Sequence, residues 1–195
     1  MGRSLNARPL LTRWRSTLTL TLNGRRMLVV QKYILRIDNE ACWGCKTCEV
    51  ACKQENQARD GIKLIYVTED WPGENAGMLN FLYQVNICRH CENPPCAETC
   101  PVEAISKRDD GIVILDEASC SGCKACVEAC PYHAITFDNH GAIAHKCNLC
   151  SHRVHSGLMP ACADNVCPAH CIHFGAPGDI ENILTEKAKN RNNSA

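Results

Sequence analysis

Cys120-Ser-Gly-Cys-Lys-Ala-Cys-Val-Glu-Ala-Cys-Pro131 is the stretch whose reading decides the rest of this chain. Three cysteines two residues apart share one tight loop, and a fourth follows three residues later, just before a proline. A loop that small can wrap three corners of one polynuclear metal centre. The fourth cysteine comes after a half-turn of helix and faces away, toward a neighbouring centre. The pattern therefore asks for centres in pairs, and the remaining cysteines have to supply the other halves.

They do so in three further groups. Upstream lie Cys42-x2-Cys45-x2-Cys48-x3-Cys52, with the same spacing, and Cys88-x2-Cys91-x4-Cys96-x3-Cys100-Pro101, with a longer middle gap. Downstream, Cys147-x2-Cys150 is followed after eleven residues by Cys162-x4-Cys167-Pro168. The first and third groups have the spacing of bacterial ferredoxins, in which thiolates hold 4Fe–4S cubanes. Sixteen of the seventeen cysteines are then accounted for by two pairs of cubanes, and only Cys171 is left over.

The chain also repeats itself. Cys100-Pro-Val-Glu-Ala-Ile105 recurs as Cys130-Pro-Tyr-His-Ala-Ile135 and as Cys167-Pro-Ala-His-Cys-Ile172. In the first two copies a turn and a short apolar strand follow. Asp109-Asp110-Gly111 leads to Ile112 to Leu115, and Asn139-His140-Gly141 leads to Ala142-Ile143. The repeating unit is a cysteine loop, a short helix and a β-hairpin. Register within the repeat places Cys171 where the other copies have Ala104 and Ala134, which makes it a small core residue. The rival reading has Cys171 replace Cys167 as a ligand. Further strands are expected over Lys32 to Asp38, Ile62 to Val67 and Phe81 to Ile87. Asp179 is expected to cap a short helix carrying Ile180, Ile183 and Leu184 on one side, with a frayed polar end from Glu186.

Composition agrees with a fold organised by metal. Aromatic residues make up only 5% of 195 residues, so large rings cannot fill the core, and inorganic clusters can take that place. Acidic and basic residues balance at 21 each, which gives no electrostatic footprint for nucleic acid. The basic charge is concentrated at the start. Residues 1–37 hold seven arginines, one lysine and no acid. This leader, residues 1–27, is read as an unstructured extension, with Met27 as an alternative start. A transit peptide is a second reading, and a twin-arginine signal at Arg25-Arg26 is disfavoured by the short apolar run behind it. No stretch reaches the roughly 18 apolar residues of a membrane span.

Competing chemistries fit less of the chain. Zinc would suit Cys147, Cys150, Cys162 and Cys167 taken alone, but one zinc per group leaves spare crowded thiolates in the triple runs. Cys-x2-Cys pairs make poor long-loop disulfide staples. A Rieske centre needs two Cys-x-His sequences, which are absent, so His90, His152 and His155 are read as ordinary polar residues. Lys46, Lys53, Lys124 and Lys146 adjoin cysteines and are read mainly as solvated loop residues, with cluster tuning or partner contact as the alternative. Trp43 and Trp71 are read as packing. There is no phosphate-cradling glycine loop and no nucleophile elbow. No catalytic residue is assigned.

Taken together, these motifs resemble the four-cluster iron–sulfur subunits of molybdenum- and tungsten-pterin oxidoreductases, of the dimethyl sulfoxide reductase, formate dehydrogenase and nitrite-reductase-associated types. The resemblance is carried by Cys42-Trp-Gly-Cys-Lys-Thr-Cys-Glu-Val-Ala-Cys-Lys-Gln-Glu-Asn56, by Cys88-Arg-His-Cys-Glu-Asn-Pro-Pro-Cys96, and by Lys146-Cys-Asn-Leu-Cys-Ser-His-Arg153 with Pro160-Ala-Cys162. It covers about residues 33–175. It implies that Cys42, Cys45, Cys48 and Cys167 hold one cluster and Cys147, Cys150, Cys162 and Cys52 its neighbour. The sequence-inner pair would use Cys88, Cys91, Cys96 and Cys130, and Cys120, Cys123, Cys126 and Cys100. The extra residue between Cys162 and Cys167 departs from the family pattern at that ligand. The chain is also similar to small polyferredoxin partners of tungsten aldehyde oxidoreductases and of the tungsten benzoyl-CoA reductase system.

The expected fold is α+β, with tandem bacterial-ferredoxin-like units of short helices and hairpins around paired clusters. Residues 28–180 form the cluster domain, with 28–80 and 140–180 around the outer pair and 81–139 around the inner pair. Residues 181–195 are expected as a polar tail. The expected partners are a large tungsten or molybdenum pterin subunit and a further electron donor or acceptor. The expected compartment is the cytoplasm, or the periplasm by co-export. A free-standing polyferredoxin and a zinc-stabilised interaction module are the alternative functions.

Overall fold

Runs of alternating and β-branched residues broken every few positions by cysteine loops can make only short strands, and that is what the computed structural model contains. It describes residues 17–22, 25–30, 32–70 and 82–192. In chain order the elements begin with β1 (Thr17–Leu22), β2 (Arg25–Val30) and β3 (Ile34–Ile37), followed by α1 (Thr47–Glu55). Next come β4 (Ile65–Asp70), β5 (Leu82–Ile87), α2 (Pro95–Glu98), β6 (Ile105–Lys107) and β7 (Val113–Leu115). The rest are α3 (Ala125–Glu128), β8 (Ile135–Asp138), β9 (Ile143–Lys146), α4 (Ser151–His155), β10 (Ile172–Gly175) and α5 (Pro177–Asn192). Helices and strands are interspersed, which makes the fold α+β.

All ten described strands pair two by two, and every pair is antiparallel. Isolated two-stranded ribbons are marginal in water, so each needs something to lean on. For the four ribbons from β3 onward two apolar cores supply it. One gathers Tyr33, Leu35, Ile65, Val67, Val85, Ile87, Leu149, Val154 and Phe174 around Cys48, Cys52, Cys147, Cys162 and Cys167. The other gathers Ile105, Val113, Ala134, Ile135 and Ala144 around Cys96, Cys126 and Cys130. In both, cysteine sulfur forms a substantial part of the interior.

The β3–β10 pairing joins distant parts of the chain, with Ile37 opposite Ile172, Leu35 opposite Phe174, and Tyr33 meeting the Phe174 ring at 5.3 Å. The β4–β5 ribbon is tied to the first cysteine loop by side chains. Val67 N–H donates to Glu49 Oε1 at 2.7 Å, and Val85 N–H donates to Asn39 Oδ1 at 3.1 Å.

Two expectations at the ends are corrected. The basic leader contains the β1–β2 ribbon from Thr17 onward, because Thr17-Leu-Thr-Leu-Thr-Leu22 alternates in the strand period and faces a second run across the dipeptide Asn23-Gly24. The expected polar tail is helical. α5 starts on Pro177, whose fixed φ suits a first helical position, and runs to Asn192. Ile180 is buried and Leu184 half-buried, but Ile183 is exposed. The helix end is held by Arg191, which pairs with buried Asp38 at 2.8 Å and with Glu40 at 3.0 Å. Among the described residues no helix is long and apolar enough to cross a membrane.

Candidate metal centres

The cysteine loops share one backbone device. The residue before the second cysteine of each of the four groups is left-handed: Gly44 at φ 68°, His90 at 46°, Gly122 at 72° and Leu149 at 56°. This bend turns the intervening amides inward, so that His90 N–H and Leu149 N–H point at the sulfur of Cys88 (3.4 Å) and Cys147 (3.3 Å). Glycine is obligatory at two of these bends. A Cβ on Gly44 would run into the Tyr83 ring, and one on Gly122 into the Ala142 carbonyl oxygen.

A second device follows the last cysteine of each repeat copy. Glu103, His133 and His170 are all left-handed, and their N–H groups donate to the carbonyls of Cys100, Cys130 and Cys167 at 3.2, 3.2 and 3.0 Å. Among the described residues eleven other than glycine have positive φ. At roughly 1–2 kcal/mol each, this strain rivals the whole stability of an ordinary domain, about 5–15 kcal/mol. Bonds stronger than packing must hold these loops.

The ribbons then deliver cysteines from separate groups to one place. β6 follows Cys100 and β7 precedes Cys120, so pairing Ile105 with Leu115 brings those two cysteines to the same edge. Likewise β3 precedes Cys42 and β10 follows Cys167. Their ladder is extended by Asp38 N–H donating to the Cys171 carbonyl at 2.8 Å. β8 and β9 set Ile135 opposite Lys146, which puts the Cys130 end of one group beside Cys147 of another.

Electrostatics shows which thiols face each other. Burial pushes Cys48 up to about 12, and the neighbouring Cys167 and Cys42 thiols add to it. Cys52 also rises to about 12, through burial and then Cys150. Cys162 is raised by burial and by Cys147, Cys52 and Cys150. Cys96 rises to about 11 by burial; Lys146 opposes the rise, while Cys88, Cys130 and Cys91 add to it. Cys126 is raised by burial and then by Cys120, Cys123 and Cys100. Cys45 alone is lowered, because the Thr47 hydroxyl donates to its sulfur at 3.3 Å.

These sets enclose space. Cys88, Cys91, Cys96 and Cys130 line one recess partly open to solvent, and Cys100, Cys120, Cys123 and Cys126 line another. Among the described residues no three His, Cys, Asp or Glu side chains converge closely enough for a single metal ion, and all seventeen cysteines are free thiols. Thiols ringed around a cavity suit a cubane better than a lone zinc.

Comparison with known proteins decides between these chemistries. Residues 79–177 match the family model described as a 4Fe-4S dicluster domain. The protein belongs to the 4Fe–4S dicluster family. It is 36% identical over 155 residues to the thiosulfate reductase electron transfer subunit of Salmonella typhi, a match covering 78% of this sequence and 80% of the relative. It is 38% identical over 151 residues to the B subunit of anaerobic dimethyl sulfoxide reductase of Escherichia coli, covering 74% and 73%. The B subunit of polysulfide reductase of Wolinella succinogenes is 36% identical over 165 residues, covering 82% and 86%. This dicluster-family protein is an electron-transfer protein with 4Fe–4S clusters as its cofactor, four in number.

Within this dicluster protein the leftover thiol is not remote from its neighbours. Cys171 is 2% exposed, as deeply set as its repeat counterparts Ala104 and Ala134, and its Sγ lies 3.4 Å from that of Cys167. The left-handed turn after Cys-Pro is nevertheless built on Cys167, as it is on Cys100 and Cys130.

Several other readings change. Trp43 is 65% exposed and is not a packing residue, since it points out of the loop that Gly44 closes against Tyr83. Trp71 lies outside the described residues. Lys46, Lys53 and Lys124 are exposed, as solvated loop lysines should be, whereas Lys146 is 6% exposed. His152 and His155 pair with Glu55 and Asp110 near the surface. His90 differs from them. Its Nδ1 accepts from Val113 N–H at 3.0 Å, so its proton sits on Nε2, which is shut away from solvent without a partner. Burial and then Lys146 push its pKa down to about 3. A neutral N–H donor left without a partner between Cys88 and Cys91 in the sequence is a fitting neighbour for cluster sulfur. The sequence signals for Lys146 and His90 are weak, since neither residue type is commonly buried.

Proposed function

We propose that the four thiol sets form a serial conductor built from two tandem ferredoxin-like units. Cys42, Cys45, Cys48 and Cys167 would hold the first cluster, and Cys52, Cys147, Cys150 and Cys162 the second. Cys88, Cys91, Cys96 and Cys130 would hold the third, and Cys100, Cys120, Cys123 and Cys126 the fourth. The carrying observation is the burial pattern along this series. Cys45 of the first set and Cys123 of the fourth are exposed, Cys88 and Cys91 of the third are half-buried, and Cys52, Cys147, Cys150 and Cys162 of the second are all buried. Exposed cysteines confined to the two terminal sets suit entry at one end and exit at the other.

The clusters would supply one-electron carriers, and the residues around them hold the spacing and keep water out. Cys88 is close enough to Cys147 to add to the cost of ionising it, after burial, and this neighbourhood would link the two units. The chain's own groups suggest no substrate chemistry. Its partner is therefore read as a large pterin-containing tungsten or molybdenum subunit, in keeping with the reductase complexes named for its relatives. The complex is placed in the cytoplasm.

Anaerobic affinity purification from native cells, with tungsten and molybdenum analysis, tests the partner. Co-purification with a metal-bearing large subunit is expected. Recovery of the chain alone would favour a free polyferredoxin. Fractionation of the same cells tests the compartment, and recovery with the periplasmic fraction would overturn the placement.

A further inference from the structure

Lys146 is the least solvated lysine next to a cysteine, and burying an ammonium costs several kcal/mol unless its charge is matched. It lies on β9 opposite Ile135, on the face that also carries buried Ala144. Its Nζ donates to the carbonyls of Val113 and, at 2.8 Å, of Cys147. Neither is a carboxylate, and no ion pair of Lys146 occurs among the described residues. Two carbonyl dipoles satisfy its N–H groups but leave the unit charge without a counter-charge.

The missing charge has a location. Lys146 lines the recess of Cys88, Cys91, Cys96 and Cys130. The other cysteine-adjacent lysines are solvated, and their fields are damped by water and salt.

We infer that Lys146 is a positioning residue for electrons: its buried positive charge makes the cluster held by Cys88, Cys91, Cys96 and Cys130 the most readily reduced of the four. Reduction adds one electron and one negative charge there with no proton, and a fixed cation in a low-dielectric setting stabilises that added charge more than an exposed one can. The site lies at the hand-off between the two ferredoxin-like units. An electron resting there is held midway between the exposed ends, available to either.

The inference rests on the ligand sets proposed above, so the test separates the two. In the full chain, purified anaerobically with its clusters, the variant C91S identifies the signal of this cluster in an EPR-monitored redox titration. If C91S altered no signal and no iron content, the ligand reading would fail. With that signal identified, K146M should reduce its equilibrium constant for reduction at least tenfold, about 59 mV for one electron. The other three should change less, and K146R should keep the wild-type value. An unchanged potential in K146M, an equal shift of all four, or the same loss in K146R would overturn the inference. If K146M lost iron, K146Q would take its place. Loss of iron from both neutral variants with retention in K146R would assign Lys146 to folding and reject the tuning role.

Discussion

The guanidinium of Arg153 on α4 reaches Glu55 at the end of α1 with a 2.9 Å bond, across 98 residues of sequence. The same side chain pairs with Asp164 and donates to the Met159 carbonyl at 2.8 Å, and His152 bonds Glu55 at 2.7 Å. One carboxylate thus clasps the helix that carries Cys48 and Cys52 to the loop that carries Cys150 and Cys162.

Replacing that carboxylate should loosen the lobe. E55Q is expected to release iron to a chelator roughly three- to tenfold faster at pH 7, as for loss of charge-assisted bonds. The Glu55 pKa is held below its usual 4.5 by His152 and then Arg153. A depressed carboxylate stabilises above its unfolded pKa and loses that contribution as pH falls through the folded value. The gap between E55Q and wild type should therefore narrow below about pH 4.5. A gap independent of pH would show that the pairing is not the cause.

Cys167 and Cys171 should part company on substitution. C171A should keep about sixteen irons per chain, because Ala104 and Ala134 already fill that position in the other repeat copies. C167A should lose a cluster, because the turn of Cys100 and Cys130 is built on Cys167. Iron and acid-labile sulfide assays decide, and the reverse result would move the ligand to Cys171.

G122A should empty one site. A methyl group there meets the Ala142 carbonyl, which is backbone and cannot swing aside, on top of the left-handed φ. The combined cost is about 2–4 kcal/mol. Iron content should fall by about a quarter, with loss of the signal that depends on Cys123. Full occupancy in G122A would mean that the loop can open without consequence.

Stripping the clusters should unfold the chain. Eleven left-handed residues and ribbons of only two strands leave too little to hold the loops once sulfur–iron bonds are gone. Far-ultraviolet circular dichroism should collapse on anaerobic iron chelation and return on reconstitution. A retained spectrum with sharp thermal unfolding would contradict this.

Much of the site was legible because ligand spacing is a local property. The cysteine groups, the repeat and the ribbons after Cys100-Pro101 and Cys130-Pro131 can all be read from neighbouring residues. The lobe that closes through β3 and β10 rests on a pairing across more than a hundred residues, which no local pattern reports. The burial of Lys146 is not legible, because a lysine in a short alternating stretch gives no sign of which face will be sealed. The exposure of Trp43 is not legible either, because the close approach of Gly44 to Tyr83, which leaves the tryptophan outside, is a tertiary contact. The full length of α5 escapes a local reading because its polar residues suggest fraying, while Arg191 finds buried Asp38 at the far end of the chain.

The β3–β10 ladder also carries a consequence for biosynthesis. The loop with Cys42, Cys45 and Cys48 leaves the ribosome early, yet on the proposed ligand sets the thiol that completes its set follows more than a hundred residues later. Cys88 to Cys130, by contrast, would emerge as one continuous run holding every ligand proposed for two clusters. Maturation should therefore begin in the middle of the chain, and the first loop made should be the last to be filled.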